Sequence, residues 1–118
     1  MVSPGLSRSV VEWCQGTGVA VMPGVATATE ILMAMEYGLS VLKVFPAEVL
    51  GGVSLVEALA APFIDVRLVP TGGISASSLA SYVRLSTVLA VGGSWMVAPK
   101  LLASERFDEV TRLAREAV

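Results

Sequence analysis

The sequence of 118 residues contains no histidine, one cysteine and only two lysines. Without histidine, nucleophile arrangements of the Ser-His-Asp or Cys-His type and histidine-based metal sites are excluded, and we expect no bound metal. The single cysteine, Cys14, can form neither an internal disulfide nor a CxxC pair. Acid–base or nucleophilic chemistry therefore depends on carboxylates, tyrosine, serine, threonine, Cys14, Lys43 or Lys100.

Charged side chains and long apolar runs are also scarce. Eight basic and ten acidic side chains give a formal net charge of −2. Because nucleic-acid binders normally carry a basic stripe, we expect no nucleic-acid partner. No stretch approaches the roughly 18 consecutive apolar residues that span a membrane, so we expect no membrane partner. The first five residues have neither the basic nor the apolar region of a signal peptide.

Short apolar runs that end in proline or glycine recur along the sequence. Of all residues, 54% are hydrophobic, and the runs lie at Val2 and at 19–22, 41–45, 66–69 and 88–91. Their closing residues are Pro4, Pro23, Pro46, Pro70 and Gly92, so the steps between them are 19, 23, 24 and 22 residues. Segments between the runs have helical patterns, which we predict at 7–14, 30–37, 55–59, 79–83, 95–102 and 105–118. Thr27 or Thr29 is expected to cap the second helix, Ser54 the third, and Ser75 or Ser77 the fourth.

This alternation predicts an α/β fold with a parallel sheet buried on both faces. The first βα turn has no GxGxxG, which disfavours a dinucleotide-binding sheet and favours a (β/α)8 barrel. Five strands are visible, the first is cut short at Met1, and a whole barrel needs about 200 residues or more. We therefore predict a single domain over residues 1–118 that forms part of a TIM barrel, with about five C-terminal βα units.

Lys43 is the most informative single residue. The two-residue period of a strand puts Val41, Lys43 and Phe45 on one face and Leu42 and Val44 on the other. An amine among apolar neighbours is expected to have a lowered pKa, and a neutral amine can attack a ketone to form a Schiff base. In the alternative interpretation, Lys43 extends from the strand end with its ammonium in water.

Paired glycines follow the last two strands, in Thr71-Gly72-Gly73 and Gly92-Gly93-Ser94. They let backbone N–H groups approach an anion, and Ser94 is predicted to start a short helix whose dipole favours negative charge. Phosphate is commonly held after the last two strands of a barrel. The alternative is that each pair simply makes a tight turn. Glu48, just beyond Pro46, is expected to fix the neighbouring loop.

Five motifs in this order resemble the 2-keto-3-deoxy-6-phosphogluconate (KDPG) aldolases, a class I family that also covers 4-hydroxy-2-oxoglutarate (KHG) aldolase activity. The motifs are Val2-Ser3-Pro4-Gly5, Met22-Pro23-Gly24-Val25, Val41-Leu42-Lys43-Val44-Phe45-Pro46-Ala47-Glu48, Pro70-Thr71-Gly72-Gly73-Ile74 and Val91-Gly92-Gly93-Ser94-Trp95. The resemblance implies that Lys43 forms the Schiff base, that Phe45 lines the pocket, and that Thr71 lies near the substrate carboxylate. It implies a backbone cradle for the 6-phosphate made by Gly72, Gly73, Gly93 and Ser94.

The resemblance also implies a reaction and an assembly. The family cleaves the phosphorylated keto acid to pyruvate and glyceraldehyde 3-phosphate in the Entner–Doudoroff pathway, in the cytoplasm, as a trimer of barrels without metal or organic cofactor. KHG and phosphogalactonate-type substrates remain alternatives within the family. Family members carry roughly 90 further N-terminal residues, which hold a proton-shuttling glutamate, an arginine and a threonine unmatched here. We therefore expect a truncated chain of low activity. A catalytically silent half-barrel that binds phosphate or assembles with another chain is the alternative.

Overall fold

Helices and strands alternate along the chain, as the spacing of the apolar runs predicts. The computed structural model describes residues 1–118. Its elements are α1 (Arg8–Gly16), β1 (Gly24–Val25), α2 (Ala28–Glu36), β2 (Val41–Val44), α3 (Ala47–Leu50), α4 (Gly52–Ala60), β3 (Arg67–Pro70), α5 (Ala76–Val83), the 3₁₀ helix η1 (Trp95–Val97), α6 (Pro99–Ala103) and α7 (Phe107–Glu116). None of these helices has the length and hydropathy that a membrane-spanning helix requires.

The three strands form a parallel sheet in the order β1-β2-β3. The parallel α/β architecture is therefore confirmed. Five full strands are not formed, because the outer segments make only isolated parallel bridges: Val2 with Met22, Leu68 with Val88, and Thr71 with Gly92. Each outer segment has a neighbour on one side only, which leaves it fewer ladder hydrogen bonds. All five segments nevertheless lie side by side in chain order.

The first strand of the sheet lies further along the chain than the apolar run at 19–22 predicts. The amide of Lys43 donates to the carbonyl of Pro23 at 2.9 Å, and the amide of Phe45 donates to the carbonyl of Val25 at 3.2 Å. Proline lacks an N–H but keeps its carbonyl, so it can accept from β2. Strand pairing therefore continues past Pro23, where the sequence predicted the strand to end, and β1 is Gly24–Val25.

Two of the predicted helix caps are formed and one is wrong. Thr27 caps α2 in a capping box with Glu30, and Ser75 caps α5 in one with Ser78. Each box satisfies backbone N–H groups that the first helical turn leaves unpaired. Ser54 does not open a helix, because α4 already begins at Gly52 after a turn at Gly51, whose φ is +134°.

The predicted helix over 95–102 is wrong as a single element. It divides into η1 and α6 at Ala98, which has an extended ψ of 138°. The next residue is Pro99, whose ring disfavours the helical conformation for the residue before it. The predicted last helix is confirmed, although it begins at Phe107 and ends at Glu116.

The core lies on one face of the sheet. Leu42, Val44 and Leu68 have at most 1% of their surface exposed. They pack in one cluster with buried side chains of the covering helices, which are Ile31, Ala34, Ala47, Val56, Leu59 and Tyr82. Lys43 of β2 and Val69 of β3 are register partners and lie outside this cluster. The strand alternation that placed Lys43 on the face opposite Leu42 and Val44 is therefore confirmed, whereas the prediction of a sheet buried on both faces is wrong for these residues, because the helices cover one face only.

Candidate active site

Lys43 lies near the carboxyl end of β2, on the sheet face opposite the helices. It is half-buried and is paired in register with Gly24 of β1 and Val69 of β3. Its Nζ lies 4.6 Å from the centroid of the Phe45 ring, two residues further along the same face. A cationic amine at this distance is attracted to the negative face of the ring. The aromatic side chain therefore holds the amine beside the strand end.

Phe45 in turn contacts the turn that follows β3. The Phe45–Pro46 peptide bond is cis. Gly72 has a φ of +101°, and a Cβ at that position would lie 3.1 Å from Phe45 ring carbons and from the Cα of Pro46. Any larger residue would be strained by its backbone conformation and would also press on the ring. Gly72 thus lets the Phe45 ring and the turn lie against one another.

Thr71 joins the ends of β2 and β3 to the segment that contains Gly92. Its amide donates to the carbonyl of Val44 at 2.9 Å, and its hydroxyl donates to the carbonyl of Val69 at 3.4 Å. It also pairs with Gly92, where an added Cβ would lie 2.6 Å from the Thr71 Oγ1. The hydroxyl is half-buried at the same end of the sheet as the Phe45 ring.

Gly93 and Ser94 lie beyond this junction. A Cβ at Gly93 would collide with the indole ring of Trp95, so only glycine fits there. Ser94 is exposed, and its hydroxyl caps no helix. The element after it is the three-residue 3₁₀ helix η1, so the short α-helix whose dipole the sequence predicted to favour an anion does not start at Ser94.

The backbone N–H groups of the two glycine pairs are candidates for an anion site. The amides of Gly72, Gly73, Gly93 and Ser94 donate to no acceptor within the chain. Successive N–H groups in a turn can form a concave nest that binds phosphate or another anion. The close contacts described above explain on steric grounds why these positions are glycine. A tight turn would require glycine there as well.

Glu48 and Tyr82 form a partly buried contact beside the Gly72–Gly73 turn. The Tyr82 hydroxyl donates to the Glu48 Oε1 at 2.8 Å, and Tyr82 has no exposed surface. Burial first, and then the hydrogen bond and the negative charge of Glu48, raise the pKa of Tyr82 to about 12. Sequence reasoning missed Tyr82. A tyrosine on the buried face of a helix needs a partner for its hydroxyl, and that requirement is the available signal.

Other reactive side chains lie away from Lys43. Lys100 is exposed on α6, and Cys14 is fully buried in α1. No three His, Cys, Asp or Glu side chains are close enough to hold a metal ion. A groove of about 580 Å³ is lined by Phe63, Arg67, Thr87 and seven other residues, none of them a candidate site residue.

Comparison with known proteins agrees with the motifs. A family model for KDPG and KHG aldolase matches residues 1–113. The 2-dehydro-3-deoxy-phosphogluconate aldolase of Treponema pallidum is 51% identical over 118 residues, which are 100% of this chain and 56% of that protein. The KHG/KDPG aldolase of Escherichia coli K12 is 43% identical over 117 residues, covering 99% of this chain and 55% of that protein.

A solved structure has the same arrangement. The KDPG aldolase of Legionella pneumophila, with pyruvate captured at low pH as a covalent carbinolamine intermediate, matches with a TM-score of 0.91 and 32% identity. The match covers 95% of this chain and 54% of that one. The chain spans about half the length of the curated relatives it matches. With a family model across 113 residues and relatives at 43–51% identity, the chain belongs to the KDPG and KHG aldolase family.

Proposed function

We propose that Lys43 forms a Schiff base with the keto group of pyruvate or of a longer 2-keto acid. The observation that carries this proposal is the position of its Nζ at the carboxyl end of β2, on the face away from the core and 4.6 Å from the Phe45 ring. In a barrel-type sheet this end of the strands is where catalytic side chains collect. The other lysine, Lys100, lies exposed on α6.

The chemistry of such an amine is defined. The lone pair of the neutral Lys43 Nζ attacks the keto carbon and gives a carbinolamine, which loses water to form an iminium. The bond that then breaks joins the carbon adjacent to the iminium carbon to the hydroxyl-bearing carbon after it. Its electron pair moves toward the iminium and leaves an enamine. The hydroxyl proton on the departing fragment goes to a base, and the fragment leaves as an aldehyde. Protonation of the enamine carbon and hydrolysis then release pyruvate and Lys43.

For the substrate we propose 2-keto-3-deoxy-6-phosphogluconate, cleaved to pyruvate and glyceraldehyde 3-phosphate. The free amides of Gly72, Gly73, Gly93 and Ser94 support a phosphate-bearing substrate, and Thr71 is assigned to its carboxylate end. The Treponema pallidum relative carries the matching name. The Escherichia coli relative is named for both KHG and KDPG, which keeps 4-hydroxy-2-oxoglutarate as the second substrate of the same site.

We propose that the chain is one domain and contributes the C-terminal βα units of a (β/α)8 barrel. Five segments in parallel chain order with helices on one face support this architecture. A homotrimer acting in the cytoplasm, without metal or organic cofactor, follows from the family resemblance. For residues 1–118 alone we propose turnover lower by roughly 10² to 10⁴, because no residue here matches the glutamate that would move the protons.

Trapping with borohydride tests the Schiff base directly. Pyruvate is added to the chain, borohydride reduces the iminium to a stable secondary amine, and peptide mapping locates the modified lysine. We expect the adduct on Lys43 in the wild type and in the matched control Lys100→Arg, and no adduct in Lys43→Arg. An adduct on Lys100, or none in the wild type, would overturn the assignment.

A further inference from the structure

Glu48 is tied to the turn after β3 through its backbone and its side chain. Its amide donates to the carbonyl of Gly72 at 3.1 Å, and the preceding amide, of Ala47, donates to the carbonyl of Thr71 at 2.9 Å. A Cβ at Gly73 would lie 2.7 Å from the Cβ of Glu48. The stem of the glutamate therefore packs directly against the turn.

The far end of the Glu48 side chain is held by α5. Its Oε1 accepts the Tyr82 hydroxyl at 2.8 Å, while its Oε2 lies beside Gly52, 3.6 Å from where a Cβ would be. Tyr82 is fully buried and cannot move without leaving its hydroxyl unpaired. Since α5 follows directly from the turn, the carboxylate links the start of α3 to the helix on the turn's other side.

A turn of this type needs support. Gly72 and Gly73 have φ values of +101° and +79°, and glycine has the greatest backbone freedom of any residue. Donors that are fixed before the ligand arrives bind it more tightly, because the entropy of ordering is not lost on binding. The Glu48–Tyr82 pair supplies this restraint through the packing of the Glu48 stem on Gly73 and the hydrogen bond from the Glu48 amide to the Gly72 carbonyl.

We propose that Glu48, held by the Tyr82 hydroxyl, is a positioning residue that fixes the Gly72–Gly73 turn for an anionic phosphate group. The identity of the ligand rests on the proposed function, whereas the restraint on the turn does not. Two consequences separate it from a general structural role. The restraint needs a hydrogen-bond acceptor at position 48 and not a charge, and it acts on phosphate binding and not on the chemistry at Lys43.

The test uses the 118-residue chain with Glu48→Ala, Glu48→Gln and Tyr82→Phe, and Tyr37→Phe as the matched control. Affinity for inorganic phosphate is measured by NMR titration, and borohydride trapping of pyruvate reports on Lys43. We expect Glu48→Ala and Tyr82→Phe to bind phosphate up to about ten-fold more weakly, the upper end of what one ordinary hydrogen bond contributes. Glu48→Gln, whose amide oxygen still accepts the hydroxyl, is expected to stay near the wild type, with trapping unchanged throughout.

Amide hydrogen exchange provides a readout that needs no ligand. The amides of Ala47 and Glu48 donate to carbonyls of the turn, so they should exchange faster in Glu48→Ala and Tyr82→Phe. The amide of Lys43, which donates to Pro23, reports whether the sheet remains folded in each variant. If wild-type protein binds no phosphate while this exchange still responds, the phosphate assignment fails and the restraint stands.

Two results would overturn the proposal. The first is wild-type exchange at Ala47 and Glu48 in both Glu48→Ala and Tyr82→Phe. The second is equal loss of phosphate binding in Glu48→Gln and Glu48→Ala, which would assign the effect to charge. If Tyr82→Phe does not fold, Glu48→Ala decides alone, since it leaves the buried Tyr82 ring in place.

Discussion

Alkaline pH should weaken the fold through one buried hydroxyl, that of Tyr82. Burial and the carboxylate of Glu48 raise the pKa of Tyr82 from 10.0 to about 12. The folded chain therefore keeps this proton to a higher pH than the unfolded chain does. The resulting stabilisation is complete below pH 10 and is lost as the pH rises through about 12.

The size of this effect follows from the difference in pKa. Between 10.0 and about 12, each pH unit changes the unfolding equilibrium by up to tenfold, which amounts to roughly 3 kcal/mol in all. Tyr82→Phe lacks this titration. At neutral pH it should also lose about 1.5–3 kcal/mol, because a hydrogen bond to a charged acceptor is removed. The free energies of unfolding of the two proteins should therefore converge above pH 10.

Urea unfolding over a series of pH values measures both effects. The chain has two tyrosines, so Tyr37→Phe is the matched control and should keep the wild-type dependence on pH. The Tyr37 hydroxyl lies exposed, 3.4 Å from the Glu12 Oε1. In Tyr37→Phe, where Tyr82 is the remaining tyrosine, tyrosinate absorbance should show a step near pH 12. A constant difference in stability between wild type and Tyr82→Phe across this range would refute the reasoning.

Two matched pairs test the sheet and a helix cap. Leu42 is fully buried, so Leu42→Ala should lower the free energy of unfolding by about 2–5 kcal/mol, while Val41→Ala on the opposite face should lower it by clearly less. Equal losses in urea unfolding would contradict the assignment of faces. Thr27→Ala removes the cap of α2 and should lower the melting temperature by the equivalent of about 1 kcal/mol, whereas exposed Thr29→Ala should leave it nearly unchanged. A larger loss of stability in Thr29→Ala than in Thr27→Ala would assign the cap to Thr29.

The faces of β2 could be predicted from the sequence because they depend on local geometry. Alternate residues of a strand point to opposite sides, so Leu42 and Val44 had to share a face and Lys43 had to take the other. The position of β1 could not be predicted in the same way. Pro23 looks like a stop, but its carbonyl pairs with Lys43, and that pairing is visible only when the strands are side by side.

Helix boundaries divide into local and non-local cases. The break before Pro99 is local, since a residue before proline avoids the helical conformation, and the sequence already contained that information. The four-residue α3 is different. Its first amides, of Ala47 and Glu48, donate to carbonyls of the turn after β3, more than twenty residues further on. No local pattern in so short a segment predicts such an element.

The contacts of the candidate site also divide into those set by local geometry and those set by the packing of distant elements. Lys43 and Phe45 could be placed together because residues two positions apart in an extended segment share a face, and the structure puts Nζ 4.6 Å from the ring. The Glu48–Tyr82 contact joins residues 34 positions apart on two helices. Its prediction would require the relative placement of α3 and α5. Only the need of a buried hydroxyl for a partner pointed toward it.

Substitution of the glycines cannot decide whether the turns bind an anion. A Cβ at Gly72 would press on Phe45, one at Gly73 would press on Glu48, and one at Gly93 would collide with Trp95. Each Gly→Ala change would therefore move the turn whether or not its amides bind phosphate. A decisive perturbation must leave the glycines and their N–H groups unchanged and alter only what holds them. Tyr82→Phe removes a single oxygen that bonds to Glu48 and not to the turn, so a selective loss of phosphate binding in that variant has the free amides as its cause.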